Sequence, residues 1–163
     1  MNSVRKSPNS ESALRQHLLE LLRGGHAHLT IDKAVDDFPL DRMGIRPDGL
    51  PHSAWELLEH MRLAQLDILR FSQSADYVSP PFPEGYWPAS PAPERESQWK
   101  ASLRQFHKDS KDFELMVTDT SQDLYAPFPW GTGQTLLREV MMLADHNAYH
   151  LGQLVLVRKL VKG

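Results

Sequence analysis

The chain of 163 residues contains no cysteine and lacks a long hydrophobic run. Without cysteine, disulfide bonds, iron–sulfur clusters, thiolate zinc sites and a cysteine nucleophile are all excluded. No 18 consecutive residues are apolar, so we expect no membrane partner and a soluble, cytoplasmic protein. Positive charge is not in excess either, because 18 lysine and arginine residues face 21 aspartate and glutamate residues. Nucleic acid is therefore not an expected ligand.

What the sequence does contain is the composition of an ordinary globular domain, with 40% hydrophobic and 24% charged residues. A chain of this length typically folds as one unit around one core. We therefore predict a single domain over residues 1–163, in which residues 1–9 form a loose N-terminal tail.

Four stretches without proline are long enough for helices, and segments rich in proline, glycine and aspartate separate them. Within each stretch apolar residues recur at spacings of three and four, which predicts an all-α four-helix bundle. Ser53 and Glu56 form a capping box at the start of the second helix. Gly24 and Gly25 interrupt the first, where we expect a close approach of a neighbour rather than a break. The predicted helices cover roughly residues 10–38, 53–73, 94–118 and 132 or 135 to 159.

The segment between the second and third predicted helices, residues 74–93, holds six of the 12 prolines and four aromatic residues. A helix does not form at that density of proline. Because a solvated linker has no need of four aromatic side chains, we expect an ordered cover along the bundle. Whether Trp55, Trp87 and Trp130 shape the mouth of a pocket or are packing residues stays open.

Three histidines on predicted helices have the placement of metal ligands. His146 and His150 lie four residues apart, so their side chains project side by side from one helix face. His60 borders the apolar face of the second helix, and three such imidazoles can converge on one ion. Two histidines at this spacing also occur by chance, and a buried histidine can simply bond a carbonyl group. A three-histidine set would leave a coordination position open, as catalytic metal sites do.

Three further residues are candidates for a catalytic base, because their helical positions point toward the interior. His28 continues the apolar stripe of the first predicted helix, Asp67 lies near the line of His60, and Glu139 lies beside His146 and His150. A core histidine that bonds a backbone group is the alternative for His28. The other four histidines, His17, His26, His52 and His107, are expected to be exposed.

Two motifs resemble those of the DinB-like superfamily. They are Ser-Ala-Trp-Glu-Leu-Leu-Glu-His over residues 53–60 and Asp-His-Asn-Ala-Tyr-His-Leu-Gly-Gln over residues 145–153. The resemblance implies a four-helix bundle with a long proline-rich crossover between helices 2 and 3. It also implies homodimers and a divalent metal ion held by His60, His146 and His150. Members include S-transferases that use low-molecular-weight thiols, relatives of maleylpyruvate isomerase, and many uncharacterised proteins that are named only as damage-inducible or as metal-dependent hydrolases.

Two hypotheses about function follow, from different classes. In the first, the protein is an enzyme in which a divalent zinc, nickel or iron ion activates water or a low-molecular-weight thiol toward a small-molecule substrate. In the second, it is a metal-binding or purely structural bundle without turnover. The sequence does not decide between them, nor between water and thiol, because family membership does not fix an activity.

Overall fold

The protein forms five α-helices and two short 3₁₀ helices, and no strand, in a computed structural model that describes residues 8–162. The α-helices are α1 (Pro8–Arg23), α2 (Ile31–Val35), α3 (Ala54–Gln73), α4 (Glu96–Thr118) and α5 (Leu136–Lys162). The 3₁₀ helices cover Leu40–Arg42 and Glu84–Tyr86. The predicted all-α class is confirmed. Of the predicted tail, residues 1–7 lie outside the described residues, and residues 8 and 9 belong to α1.

The first helix is shorter than its apolar pattern predicts. It ends at Arg23, because Gly24 and Gly25 adopt φ values of +65° and +85°, a left-handed conformation that terminates helices. A separate helix, α2, then begins after Thr30, whose hydroxyl accepts a hydrogen bond from the Lys33 N–H at 3.3 Å. The continuous helix predicted over residues 10–38 is therefore wrong, because the two glycines break it.

The starts of α3 and α5 follow the side chains that cap them. Ser53 accepts a hydrogen bond from the Glu56 N–H at 3.2 Å, and the Glu56 carboxylate accepts one from the Ser53 N–H at 2.8 Å, so the predicted capping box is confirmed. Thr135 precedes α5, and its hydroxyl accepts a hydrogen bond from the Arg138 N–H at 3.2 Å. Both helices thus begin where the sequence supplies an acceptor for their free N–H groups.

The four long helices form a bundle in which α1 and α3 each pack against both α4 and α5. Two clusters of buried apolar side chains fill it. The first centres on the N-terminal half of α3 and the C-terminal half of α5, and the second on the opposite halves. Between them lies Gln65, which donates to the Phe106 carbonyl at 2.7 Å and accepts from Ser110 and Asn147 at 3.2 Å. These bonds join α3, α4 and α5. Among residues 8–162, no helix is long and apolar enough to span a bilayer.

The connection between α3 and α4, residues 74–95, contacts α3 at points along its length. Tyr86 donates from its hydroxyl to Asp67 at 2.8 Å, toward the C-terminal end of α3. The carbonyl of Pro91 accepts from the hydroxyl of Ser53 at the other end. The segment therefore runs back along α3 and covers the face that carries His60.

Candidate metal centre

Three imidazole rings from α3 and α5 meet at one point in the bundle. Nε2 of His60 lies 3.0 Å from Nε2 of His146 and 3.1 Å from Nε2 of His150. The ligand atoms that the three residues offer all lie within 4.8 Å of one another. His60 and His150 are 8% and 9% exposed, and His146 is half-buried. The four-residue spacing on α5 and the position of His60 on α3 thus bring the rings together as predicted.

Hydrogen bonds to Nδ1 orient these rings. Nδ1 of His60 lies 2.8 Å from the backbone carbonyl of Tyr86, and Nδ1 of His150 lies 2.8 Å from Oε1 of Gln153. A carbonyl oxygen only accepts, so Nδ1 of His60 carries the proton and the neutral ring keeps a lone pair at Nε2. Oδ1 of Asn147 lies 3.5 Å from Nδ1 of His146, at the limit of a hydrogen bond. The nitrogens that face one another are therefore the ones suited to bind a cation.

Burial keeps all three histidines neutral near pH 7. Burial lowers the pKa of His60 to about 4. The hydrogen bond to the Tyr86 carbonyl acts in the opposite direction and raises this pKa, whereas the His150 and His146 imidazoles lower it further. Burial also lowers the pKa of His146 and the pKa of His150. Neutral imidazole is the form that binds metal ions, so the site needs no proton release at these positions before it binds a cation.

The donor set fits a divalent cation. Two imidazole nitrogens bound to zinc at tetrahedral angles lie about 3.3 Å apart, close to the separations here. Across residues 8–162 no carboxylate or fourth histidine joins the group. His60, His146 and His150 could therefore hold a metal ion and leave part of its coordination sphere to other ligands.

A comparison of the sequence with models of protein families gives one match that agrees with the all-α fold. The family model described as the DinB superfamily matches residues 27–154 of the chain. The chain belongs to the DinB superfamily. The matched range includes all three histidines of the cluster. No curated protein and no solved structure is significantly similar to this DinB protein.

The segment covering α3 supplies two contacts to this DinB site that the sequence does not reveal. The Tyr86 carbonyl is one of them, and a backbone atom has no signature in the sequence. The other is the indole of Trp87, which stacks on His60 with centroids 3.9 Å apart and an angle of 4° between the planes. The same indole also stacks on His52, with ring centroids 4.1 Å apart. His52 is thus half-buried, contrary to the prediction that it is exposed. The sequence feature that could have indicated these contacts is the presence of aromatic residues within the proline-rich segment.

The three candidates for a catalytic base do not belong to the histidine cluster. His28 is exposed in the loop after α1, where its Nδ1 lies 2.8 Å from the carbonyl of Leu29. Its predicted inward orientation is wrong, because the helix that was expected to carry it ends at Arg23. Asp67 contacts the site indirectly, through Tyr86. Glu139 is buried and forms an ion pair with Arg138. Their catalytic roles stay predictions.

Proposed function

We propose that this protein is a divalent-metal-dependent enzyme in which His60, His146 and His150 hold the ion. Water or a low-molecular-weight thiol is activated there for transfer to, or hydrolysis of, a small organic molecule. The observation that supports this proposal is the convergence of three Nε2 atoms without a fourth histidine or carboxylate among the described residues. Purely structural zinc sites are usually closed by four protein ligands.

A bound divalent cation supplies a Lewis acid that lowers the pKa of a water or thiol held beside it. Zinc, nickel and iron all suit imidazole ligands, so we propose one of these three ions. Because the chain has no cysteine, a thiol must arrive as a separate molecule. We place the activity in the cytoplasm, the compartment in which such thiols are kept reduced.

The protein's own groups orient the ligands and limit the access of water. The Tyr86 carbonyl and the Gln153 side chain fix two of the rings through Nδ1. The indole of Trp87 covers one face of His60. Asp67 accepts the hydroxyl hydrogen bond of Tyr86, and we propose that it acts as a positioning residue through that bond. In the hydrolytic version, Glu139 remains a candidate for the base, whereas His28, exposed in the loop after α1, no longer is one.

The test is a reaction screen with protein that carries no polyhistidine tag and has been stripped with a chelator. The protein is reloaded with zinc, nickel or ferrous iron and mixed with panels of thiols plus alkylating electrophiles, and separately with esters and amides. We expect turnover in one loaded form, which His146→Ala abolishes and which His26→Ala, a change at an exposed histidine, leaves intact.

Two results would contradict parts of the proposal. If the ion binds but every panel stays blank, the site holds metal without catalysis. If His146→Ala leaves the metal content at the same background level as wild type, these histidines are not the ligands.

A further inference from the structure

A cavity lies inside the bundle, where the two buried apolar clusters meet. All four long helices and residues 28–31 contribute to its walls, and its large buried apolar side chains are Met61, Phe106 and Leu151. The cavity has a volume of about 50 Å³. One water molecule needs about 10–15 Å³ on this measure, so there is room for about four water molecules or for a small organic molecule of similar size.

The break between α1 and α2 and two small residues of α5 create this space. Because α1 ends at Arg23, the loop of residues 24–30 forms part of the wall in place of a helix. On the inner side, Ala144 and Ala148 lie four residues apart on one face of α5 and line the cavity. A longer side chain at either position would occupy the volume that these alanines leave empty.

Asn147 places a polar group in the inner wall of the cavity. Its Nδ2 donates to Oε1 of Gln65 at 3.2 Å, which uses one of the two N–H donors of the amide. Its Oδ1 lies 3.5 Å from Nδ1 of His146, at the limit of a hydrogen bond. Among the contacts of the described residues, the amide therefore keeps a donor and acceptor capacity for a bound molecule.

The charges around the cavity favour a ligand without charge. Arg23 lies in the wall, but its guanidinium is already paired with the Glu114 carboxylate at 3.1 and 2.9 Å. Burying an ionised group without a partner is unfavourable, so a charged ligand would gain no counter-charge from this arginine. Leu21 and Leu29 line the cavity and are 50% and 47% exposed, so the opening to solvent is apolar as well.

We propose that this cavity binds a small uncharged molecule that has a branched aliphatic body and one amide or hydroxyl group. The aliphatic part packs against Met61, Phe106 and Leu151, and the polar group forms a hydrogen bond with Asn147. Binding sites for small molecules typically combine apolar walls with a few polar groups in this way.

This cavity is separate from the candidate metal centre. Of the described residues that line it, none belongs to the histidine cluster, although Asn147 approaches His146. The proposal does not rest on the proposed function, because the ligand contacts no metal ion. Binding can be measured on chelator-stripped protein, so its failure is distinguishable from a failure of metal-dependent activity.

NMR titration of the chelator-stripped full chain tests the proposal, with isobutyramide as the polar probe and xenon under pressure as the apolar probe. We expect both to shift the resonances of residues that line the cavity, whereas isobutyrate, which has a similar shape and a negative charge, does not. Ala148→Leu fills the cavity and should abolish the binding of both probes. Ala101→Leu makes the same change at an exposed alanine of α4 and should leave both unaffected.

Asn147→Ala separates the polar contact from the space. It enlarges the cavity, so xenon still binds, but the loss of a hydrogen bond between neutral groups should weaken isobutyramide binding roughly fivefold. If circular dichroism shows that Ala148→Leu does not fold, Ala144→Leu fills the same space from the preceding turn. The proposal would be overturned if neither probe bound wild type, if the shifts lay away from the cavity, or if the cavity-filling variant bound both probes as wild type does.

Discussion

Replacing Tyr86 by phenylalanine tests how residues 74–95 support His60. The hydroxyl of Tyr86 donates to the Asp67 carboxylate at 2.8 Å, while its backbone carbonyl binds Nδ1 of His60 at the same distance. Burial and the bond to Asp67 raise the pKa of Tyr86 to about 12, so the hydroxyl remains a donor throughout the neutral range. The substitution removes one hydrogen bond and leaves the carbonyl in place.

The loss of that hydrogen bond should lower both the free energy of unfolding and the affinity for the metal ion. A hydrogen bond to a charged group contributes about 1.5–3 kcal/mol, and water can partly replace it at these half-buried residues, so we expect a loss near the lower end. Groups that orient metal ligands contribute about 10–100-fold in affinity, and we expect roughly tenfold here because the carbonyl remains. Urea denaturation of chelator-treated protein measures the first loss. Competition with a chromophoric zinc chelator measures the second.

Tyr149→Phe is the matched control, because the side chain of Tyr149 is 65% exposed. Its effect on the free energy of unfolding should stay within about 0.5 kcal/mol. A double-mutant cycle with Asp67→Asn should show that the effects of Tyr86→Phe and Asp67→Asn are not additive. If Tyr86→Phe behaves like Tyr149→Phe in both assays, the hydrogen bond between Tyr86 and Asp67 does not help to position His60.

Three other predictions concern the bundle. Gln65→Leu should lower the free energy of unfolding, measured by urea denaturation, by about 2–3 kcal/mol. The double variant Gln65→Leu/Asn147→Leu should lose less than the sum of the two single losses, since no buried amide is then left unpaired. Ser53→Ala should cost about 1–2 kcal/mol in the same assay through loss of the cap of α3. The hydrogen bond from Arg23 lowers the pKa of Glu114 below its usual 4.5, so the stability from this pair is present above pH 4.5 and is lost as pH falls below it. Glu114→Gln should therefore make thermal stability fall less steeply in that acidic range.

Local signals in the sequence predicted some parts of the structure and not others. The capping box at Ser53 located the start of α3, and helical geometry placed His146 beside His150, because both depend on residues within one turn. The break at Gly24 and Gly25 was missed because apolar spacing continues across it. Periodicity cannot show whether two glycines keep helical φ values or adopt positive ones.

The remaining contacts of the site depend on the path of a loop. Trp87 reaches His60 only because residues 74–95 run back along α3, and proline content does not specify that path. The exposed side of α5 was also beyond the sequence. This helix is apolar around much of its circumference, so its pattern does not reveal which face the bundle leaves uncovered.

If the three imidazoles from α3 and α5 bind one ion, calorimetric titration of chelator-stripped protein with zinc will measure that binding. We expect one ion per chain for wild type and for the His26→Ala control. We expect a large loss of affinity for His60→Ala, which removes the only α3 histidine of the cluster. Zinc binding with the same stoichiometry and affinity in His60→Ala, or no binding to wild type, would contradict this expectation.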